Sequence, residues 1–200
     1  GEGYDSYEWS TGEESQTITV NESGNYSVDV ENGSQNNYSM YFDGEDDYIN
    51  LLETSSVDIY ENGFTVSFDT KQFYENEYEN ILFHHSSNGT YVFQIAEDNN
   101  YIRFGIKESN GVWTFIQGYL DNEWTNITGT YNNVLNKIEI YIDGYLIDED
   151  YISSDNLYSD PVHPFVQVGG ILQGGNGPLI QQYNGYIDNI YYWSYPLTSN

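Results

Sequence analysis

At 200 residues and 23.0 kDa the chain is long enough for one full-sized domain and a small appendage. Four Lys and Arg stand against 32 Asp and Glu, a formal net charge of -28, so a phosphate backbone or an anionic membrane surface repels it and nucleic acid is excluded as a partner. Aromatic residues make up 18% of the sequence, far too much large apolar surface for a disordered acidic tail, and the composition therefore describes a folded acidic protein.

The first 36 residues hold eight acids and no Lys or Arg. Two strand-like pieces, QTITV (16–20) and NYSVDVE (25–31), flank the turn NESG. So few large apolar residues cannot enclose a core, and these strands need a partner in their own domain or in a neighbouring copy. The opening GEGYDSYEWS has neither the basic start nor the apolar stretch of a signal peptide, and no run approaches the roughly 18 apolar residues of a membrane helix. No membrane insertion is expected, and the expectation is that any export signal has already gone.

From residue 37 onward the apolar pattern has period two. The runs are SMYFDG (39–44), DYINL (47–51), FTVSFDTKQF (64–73), ILFHHS (81–86), TYVFQIAE (90–97), YIRFGIKE (101–108), GVWTFIQG (111–118), WTNITGTYN (124–132), FVQVGG (165–170) and GYIDNIYYW (185–193). In KIEIYID (137–143), Ile138, Ile140 and Ile142 share one face, and Asp143-Gly144 turns the chain into YLID as a hairpin. Asn88-Gly89, Asn99-Asn100 and Asn110-Gly111 tolerate positive φ, which predicts an antiparallel meander over 81–118. No segment carries a helical apolar stripe. So many strands require two stacked sheets or a closed barrel.

In order, MYFDGEDDYINL (40–51), FTVSFDTKQ (64–72), EWTNITGTYN (123–132), IEIYIDGYLID (138–148), VQVGG (166–170) and NGYIDNIYYWSYPLT (184–198) resemble the laminin-G-like, concanavalin A-like jelly roll. The resemblance implies an all-β, two-sheet antiparallel sandwich over 37–200, preceded by a strand-bearing extension over 1–36. It also implies that Trp124 is the family's core Trp before the TGTY strand. One position departs from the family: where members often carry an aromatic after VSF, this chain has Asp69. The opening residues, Tyr7, Trp9, Ser10, Thr11, Gly12 and Glu13 followed by Gly24, Tyr26, Ser27, Val28, Asp29 and Val30, resemble the last strands of an immunoglobulin-like repeat of bacterial surface proteins. A slice or processed form of a longer surface polypeptide is the expectation.

Catalysis has little support. The E-x-D-x-x-E strand of glycan-cleaving sandwiches is absent, and adjacent His84 and His85 point to opposite faces of a strand. Glu75, Glu77 and Glu79 share a face and read as a solvated rim. The loop DGEDD (43–47) offers clustered hard oxygens suited to Ca²⁺. Asp43, Asp46 and Asp47 are the candidate ligands, and the resemblance adds Asp188 of the last strand. A second acidic run, DEDYISSD (148–155), is a weaker candidate, and the Gly-rich ILQGGNGPL (171–179) reads as a rim loop. Glycan binding needs aromatic platforms near amides and acids, for which Trp113, Tyr119, Trp124 and Tyr131 are candidates. Sequons fall at Asn21, Asn25, Asn32, Asn37, Asn88 and Asn126. Cysteine is absent, which leaves the compartment to other signals, and abundant Tyr, Asn, Gly and acid with almost no Lys suits a secreted or surface-displayed module. The leading expectation is a non-catalytic adhesive or structural module that assembles with copies of itself into filaments through residues 1–36. The alternative is a calcium-dependent carbohydrate-binding module.

Overall fold

A computed structural model describes residues 6–31, 38–51, 63–73, 78–85, 91–153, 165–172 and 179–197. The chain divides into two units, Gly1–Ser39 and Met40–Asn200. In the first, β1 (Ser6–Trp9) pairs antiparallel with β2 (Val28–Glu31), Tyr7 opposite Val30. The strand expected at QTITV is therefore replaced by SYEW. A tight turn after Trp9 explains the change: Gly12 adopts φ +87°, its N–H donates to the Trp9 carbonyl, and Trp9 Nε1 donates to the Ser15 carbonyl. The turn commits the Trp9 strand to β2 and leaves 16–20 without a ladder.

The second unit runs through β3 (Met40–Asp43), β4 (Ile49–Leu51), β5 (Gly63–Gln72), β6 (Tyr78–His85), β7 (Tyr91–Asp98), β8 (Tyr101–Lys107) and β9 (Trp113–Tyr119). It continues through β10 (Thr125–Asn132), β11 (Lys137–Ile142), β12 (Tyr145–Tyr151), β13 (Phe165–Val168), the short β14 (Ile171–Leu172) and β15 (Leu179–Ile180), and β16 (Asn184–Trp193). The first large sheet has the order β12-β11-β10-β5-β16-β3 and the second β4-β13-β6-β7-β8-β9. Every pairing is antiparallel, and the predicted meander is the run β6-β7-β8-β9. Asn99 and Asn100 take positive φ at its β7–β8 turn, as do Asp143 and Gly144 in the β11–β12 hairpin. Asn88-Gly89 lies outside the described residues.

Alternation makes the core. Phe64, Val66 and Phe68 of β5 point inward from the first sheet and meet Phe93, Ile95, Ile102, Phe104 and Ile106 of the second, all fully buried. Phe64 is the hub: its ring lies 4.6 Å from Phe93, 6.1 Å from Phe104 and 5.9 Å, stacked, from Tyr192. Close approach requires glycine at two places. A Cβ on Gly63, at φ +102°, would strike the Tyr131 carbonyl, and Gly129 of β10 leaves room for the Phe104 ring. With the core settled between the sheets, both outer faces are left to polar and aromatic side chains.

Candidate functional site

On the outer face of the first sheet, register sets Asn126 of β10, Asp69 of β5 and Asp188 of β16 in one row across three strands. Directly opposite residues of an antiparallel pair have Cβ atoms roughly 5 Å apart, so the three polar groups are neighbours. The hairpin turn brings a fourth: the Asn126 N–H donates to Asp143 Oδ1 at 2.9 Å, and the Asp143 N–H returns to the Asn126 carbonyl at 2.9 Å. Asp69, Trp124, Thr125, Asn126, Asp143 and Asp188 line a cleft of about 340 Å³.

Asp69 organises its floor. Its Oδ1 accepts from Asn126 Nδ2 and its Oδ2 from Asn189 Nδ2, both at 2.7 Å. A carboxylate only accepts, so both amides must turn their nitrogens inward, leaving Asn126 Oδ1 to the hydroxyls of Thr128 and Ser67. Asn189 reaches Asp69 because β16 carries a bulge between Asp188 and Tyr191, with Asn189 at φ +49°. Beside the row, Trp124 is 46% exposed and 6.0 Å from the Tyr186 ring. Tyr186 in turn lies 5.2 Å from both Tyr41 and Phe73. Trp124 is thus a surface platform, not the core tryptophan expected from the resemblance.

The other expected platforms lie elsewhere. Tyr131 is wholly buried against Phe64, its hydroxyl donating to Asn133 Oδ1 at 2.7 Å, and cannot touch a ligand. Burial pushes its hydroxyl pKa up to about 12. Trp113 and Tyr119 stand on the outer face of the second sheet, where Trp113 stacks on Phe115 at 5.4 Å and Tyr119 meets Tyr101 at 5.8 Å. The Arg103 guanidinium lies 5.5 Å over Phe115.

The DGEDD loop is held by its own hydrogen bonds. Asp43 Oδ1 accepts the Glu45 N–H at 2.8 Å and Asp47 Oδ2 the Asp43 N–H at 3.1 Å, an Asx-type turn through Gly44, while Asp46 is exposed. Asp188 does not join them, because Asp43 pairs with Asn184, four residues or about 13 Å back along β16. Among the described residues no three acidic or histidine side chains converge as a metal-holding group.

Three more expectations change. Glu79 is 6% exposed and faces the interior, so it is no solvated rim, while Glu75 and Glu77 lie outside the described residues. The run from Asp148 disperses: Asp148 accepts the Gln117 N–H at 3.1 Å and Glu149 pairs with Lys137 at 2.7 Å, while residues 154–155 lie outside the described residues. Asn126, expected as a glycan acceptor, spends the nitrogen that a glycan would occupy on Asp69. Asn21 and Asn25 are exposed in the first unit. Asn32, Asn37 and Asn88, the side chains of His84 and His85, and residues 173–178 lie outside the described residues.

Sequence reading missed Thr125, Asp143 and Asn189. The Asp-Gly turn carried a trace of Asp143, and the departure at Asp69 pointed to the row. Nothing in the pattern announced the bulge that turns Asn189 inward.

Two antiparallel sheets with an outward polar cleft define a jelly-roll sandwich. The profile of the concanavalin A-like lectin/glucanase superfamily, of laminin-G type, matches residues 43–200, and the chain belongs to that family. No curated protein sequence matches it. Among solved structures it is similar to the native heptameric SAP-like pentraxin from Limulus polyphemus, with a TM-score of 0.62, 14% identity, and coverage of 79% of this chain and 76% of that one. It is also similar to the CBM40 of the Ruminococcus gnavus IT-sialidase bound to α2,3-sialyllactose, at 0.63 and 13%, covering 80% of this chain and 91% of that one. The binding domain of botulinum neurotoxin serotype G follows at 0.59 and 17%, with 79% of this chain but 39% of that one covered. These likenesses are of fold.

Proposed function

We propose that the chain is a non-catalytic extracellular adhesive module that binds neutral carbohydrate in the cleft beside Trp124. The observation that carries this reading is the exposed Trp124 face set against a fixed row of amides and carboxylates, the pairing a sugar needs for its C–H surface and its hydroxyls. Charge selects the class of sugar. Asp69, Asp143 and Asp188 line the cleft, no Lys or Arg does, and Lys71 two residues along β5 is held by Glu123 at 3.4 Å. The Ruminococcus module is described with a sialylated sugar; a carboxylate-bearing sugar would be repelled here, whereas neutral hydroxyls can donate to the three acids. The carbohydrate-binding module and the toxin binding domain among the similar folds support a binding role.

The test is a glycan array followed by calorimetry on the whole chain. Binding of neutral glycans that falls at least roughly tenfold in Trp124→Ala supports the reading. No glycan bound at millimolar concentration, or binding indifferent to both Trp124→Ala and Asn126→Ala, overturns it.

A second role, self-assembly through residues 1–36, is favoured by the two-stranded β1–β2 sheet, whose Val28 and Val30 are 36–37% exposed, with Val20 and Tyr26 of the connecting segment exposed as well. Two strands with uncovered apolar side chains are marginal alone and are suited to completion by a neighbour. Deleting residues 1–31 should leave the sandwich folded and abolish polymers seen by size exclusion and microscopy. A full-length chain monomeric at high concentration rejects the role.

A further inference from the structure

Register sets a second row beside the polar one. Two residues along β5 and β16 from the opposed Asp69 and Asp188, Lys71 is opposed to Tyr186, and on its other side Tyr186 is opposed to Tyr41 of β3. Trp124 stands at the near end of this row, one residue before the Thr125–Thr70 pair of β10 and β5. Alternate residues of a strand share a face, so the row lies on the same outer face as Asn126, Asp69 and Asp188, about 7 Å from them. Both rows run across the strands. From β10 to β3 the second crosses three strand spacings, roughly 14 Å.

Its rings close into a ribbon. Trp124 and Tyr186 have centroids 6.0 Å apart, nearer than the roughly 10 Å of two strand spacings, so they lean toward each other over β5. Tyr186 meets Tyr41 at 5.2 Å. Phe73 buttresses the far end, edge-on to Tyr41 at 6.1 Å and to Tyr186 at 5.2 Å. Trp124 is 46% and Tyr41 53% exposed, so both ends of the ribbon are open to solvent while packing fixes its middle. The ammonium of Lys71, the cation of this row, is held by Glu123 at 3.4 Å. A single sugar ring covers one aromatic face, and this ribbon offers more than one beside a fixed line of hydrogen-bonding groups.

We propose that the Trp124 cleft is one end of a longer groove, and that its ligand is an extended neutral oligosaccharide lying across the strands from Trp124 to Tyr41. The inference rests on the carbohydrate reading above and adds the length and direction of the ligand. Sugar C–H faces stack on the ring ribbon, and hydroxyls along one edge of the sugar chain donate to Asp69 and Asp188. Rings fixed by mutual packing lose little freedom on binding, so each further stacked unit adds affinity. A site for one terminal sugar would use the Trp124 end alone, and Tyr41 would not matter to it.

Length series of cello-, malto-, xylo- and galacto-oligosaccharides, from two to five units, are titrated into the whole chain by calorimetry. The expected result is a series whose affinity rises at least roughly tenfold between the disaccharide and the tetrasaccharide. Tyr41→Ala should abolish that rise and leave the disaccharide unchanged, Tyr41→Phe should restore it, and Trp124→Ala should weaken binding at every length. Affinity that does not grow with length, or a rise that survives Tyr41→Ala, overturns the extended groove and leaves the Trp124 site standing. Should Tyr41→Ala fail to fold, Phe73→Ala carries the test. Loss of the buttress should weaken the tetrasaccharide but not the disaccharide, and equal affinity for both overturns the groove. No series bound also overturns it, while the glycan array decides the carbohydrate reading separately.

Discussion

Asp69 and Asp188 lie directly opposite each other on β5 and β16, yet it is Asn189, one residue further along, that donates to Asp69 Oδ2 at 2.7 Å. The bulge resolves a conflict built into the row. Like charges directly opposite are destabilising, and two amide donors from Asn126 and Asn189 absorb the charge of Asp69 while Asp188 stays turned to the cleft.

Asp69→Asn tests which effect dominates. Removing the charge relieves repulsion of about 1 kcal/mol for charges roughly 5 Å apart at water-like screening. It also costs two hydrogen bonds to a charged acceptor, about 1.5–3 kcal/mol each when well formed. An amide at 69 cannot accept from both neighbours, so a net loss of about 1–2 kcal/mol is expected in chemical denaturation. Neutral-sugar affinity should fall with it.

Trp124→Ala should separate binding from folding. The ring is half exposed and packs on Tyr186, so the melting point should move little while sugar affinity drops. Trp113→Ala, on the opposite sheet, should leave cleft binding intact. Equal losses in both variants by calorimetry would argue against a single cleft.

Fold class was legible because period-two alternation and Asn-Gly or Asp-Gly turns are local signals, and the β6–β9 meander and the β11–β12 hairpin follow them closely. The cleft was half legible. Trp124 and Asp188 were candidates, but their junction depends on the β10-β5-β16 order, which joins residues far apart in sequence and is carried by no local pattern. Tyr131 and Trp124 exchanged roles for the same reason: Tyr131 lies within β10 and Trp124 immediately before it, and only register and neighbours decide which of the two is covered. Glu79 misled because alternating acids look solvated until the facing sheet closes over them.

Phe64→Ala should be the most damaging single truncation of the core. Its ring meets Phe93, Phe104, Tyr131 and Tyr192, so removal opens a cavity walled from both sheets. A loss of about 3–5 kcal/mol is expected in urea unfolding. Val134→Ser, at a turn residue 81% exposed, should stay within about 0.5 kcal/mol of wild type.

Alkaline pH should unfold the sandwich through its buried tyrosines. Burial lifts Tyr131 to about 12 and Tyr183 also upward, the latter further through Glu97 and Glu79 and eased by its bond to Thr70. A tyrosine pKa higher in the folded state than the ordinary value of about 10 favours folding while the ring is neutral. That contribution is whole below about pH 10 and is lost as pH rises toward and past 12. For Tyr131 the gap corresponds to about 3 kcal/mol. Tyrosinate absorbance should therefore show a late phase that coincides with loss of β-sheet circular dichroism. Tyr131→Phe should forfeit about 1 kcal/mol at neutral pH with the bond to Asn133, yet lose less on going to alkali. A late phase that precedes unfolding, or one unchanged in Tyr131→Phe, would remove Tyr131 as its source.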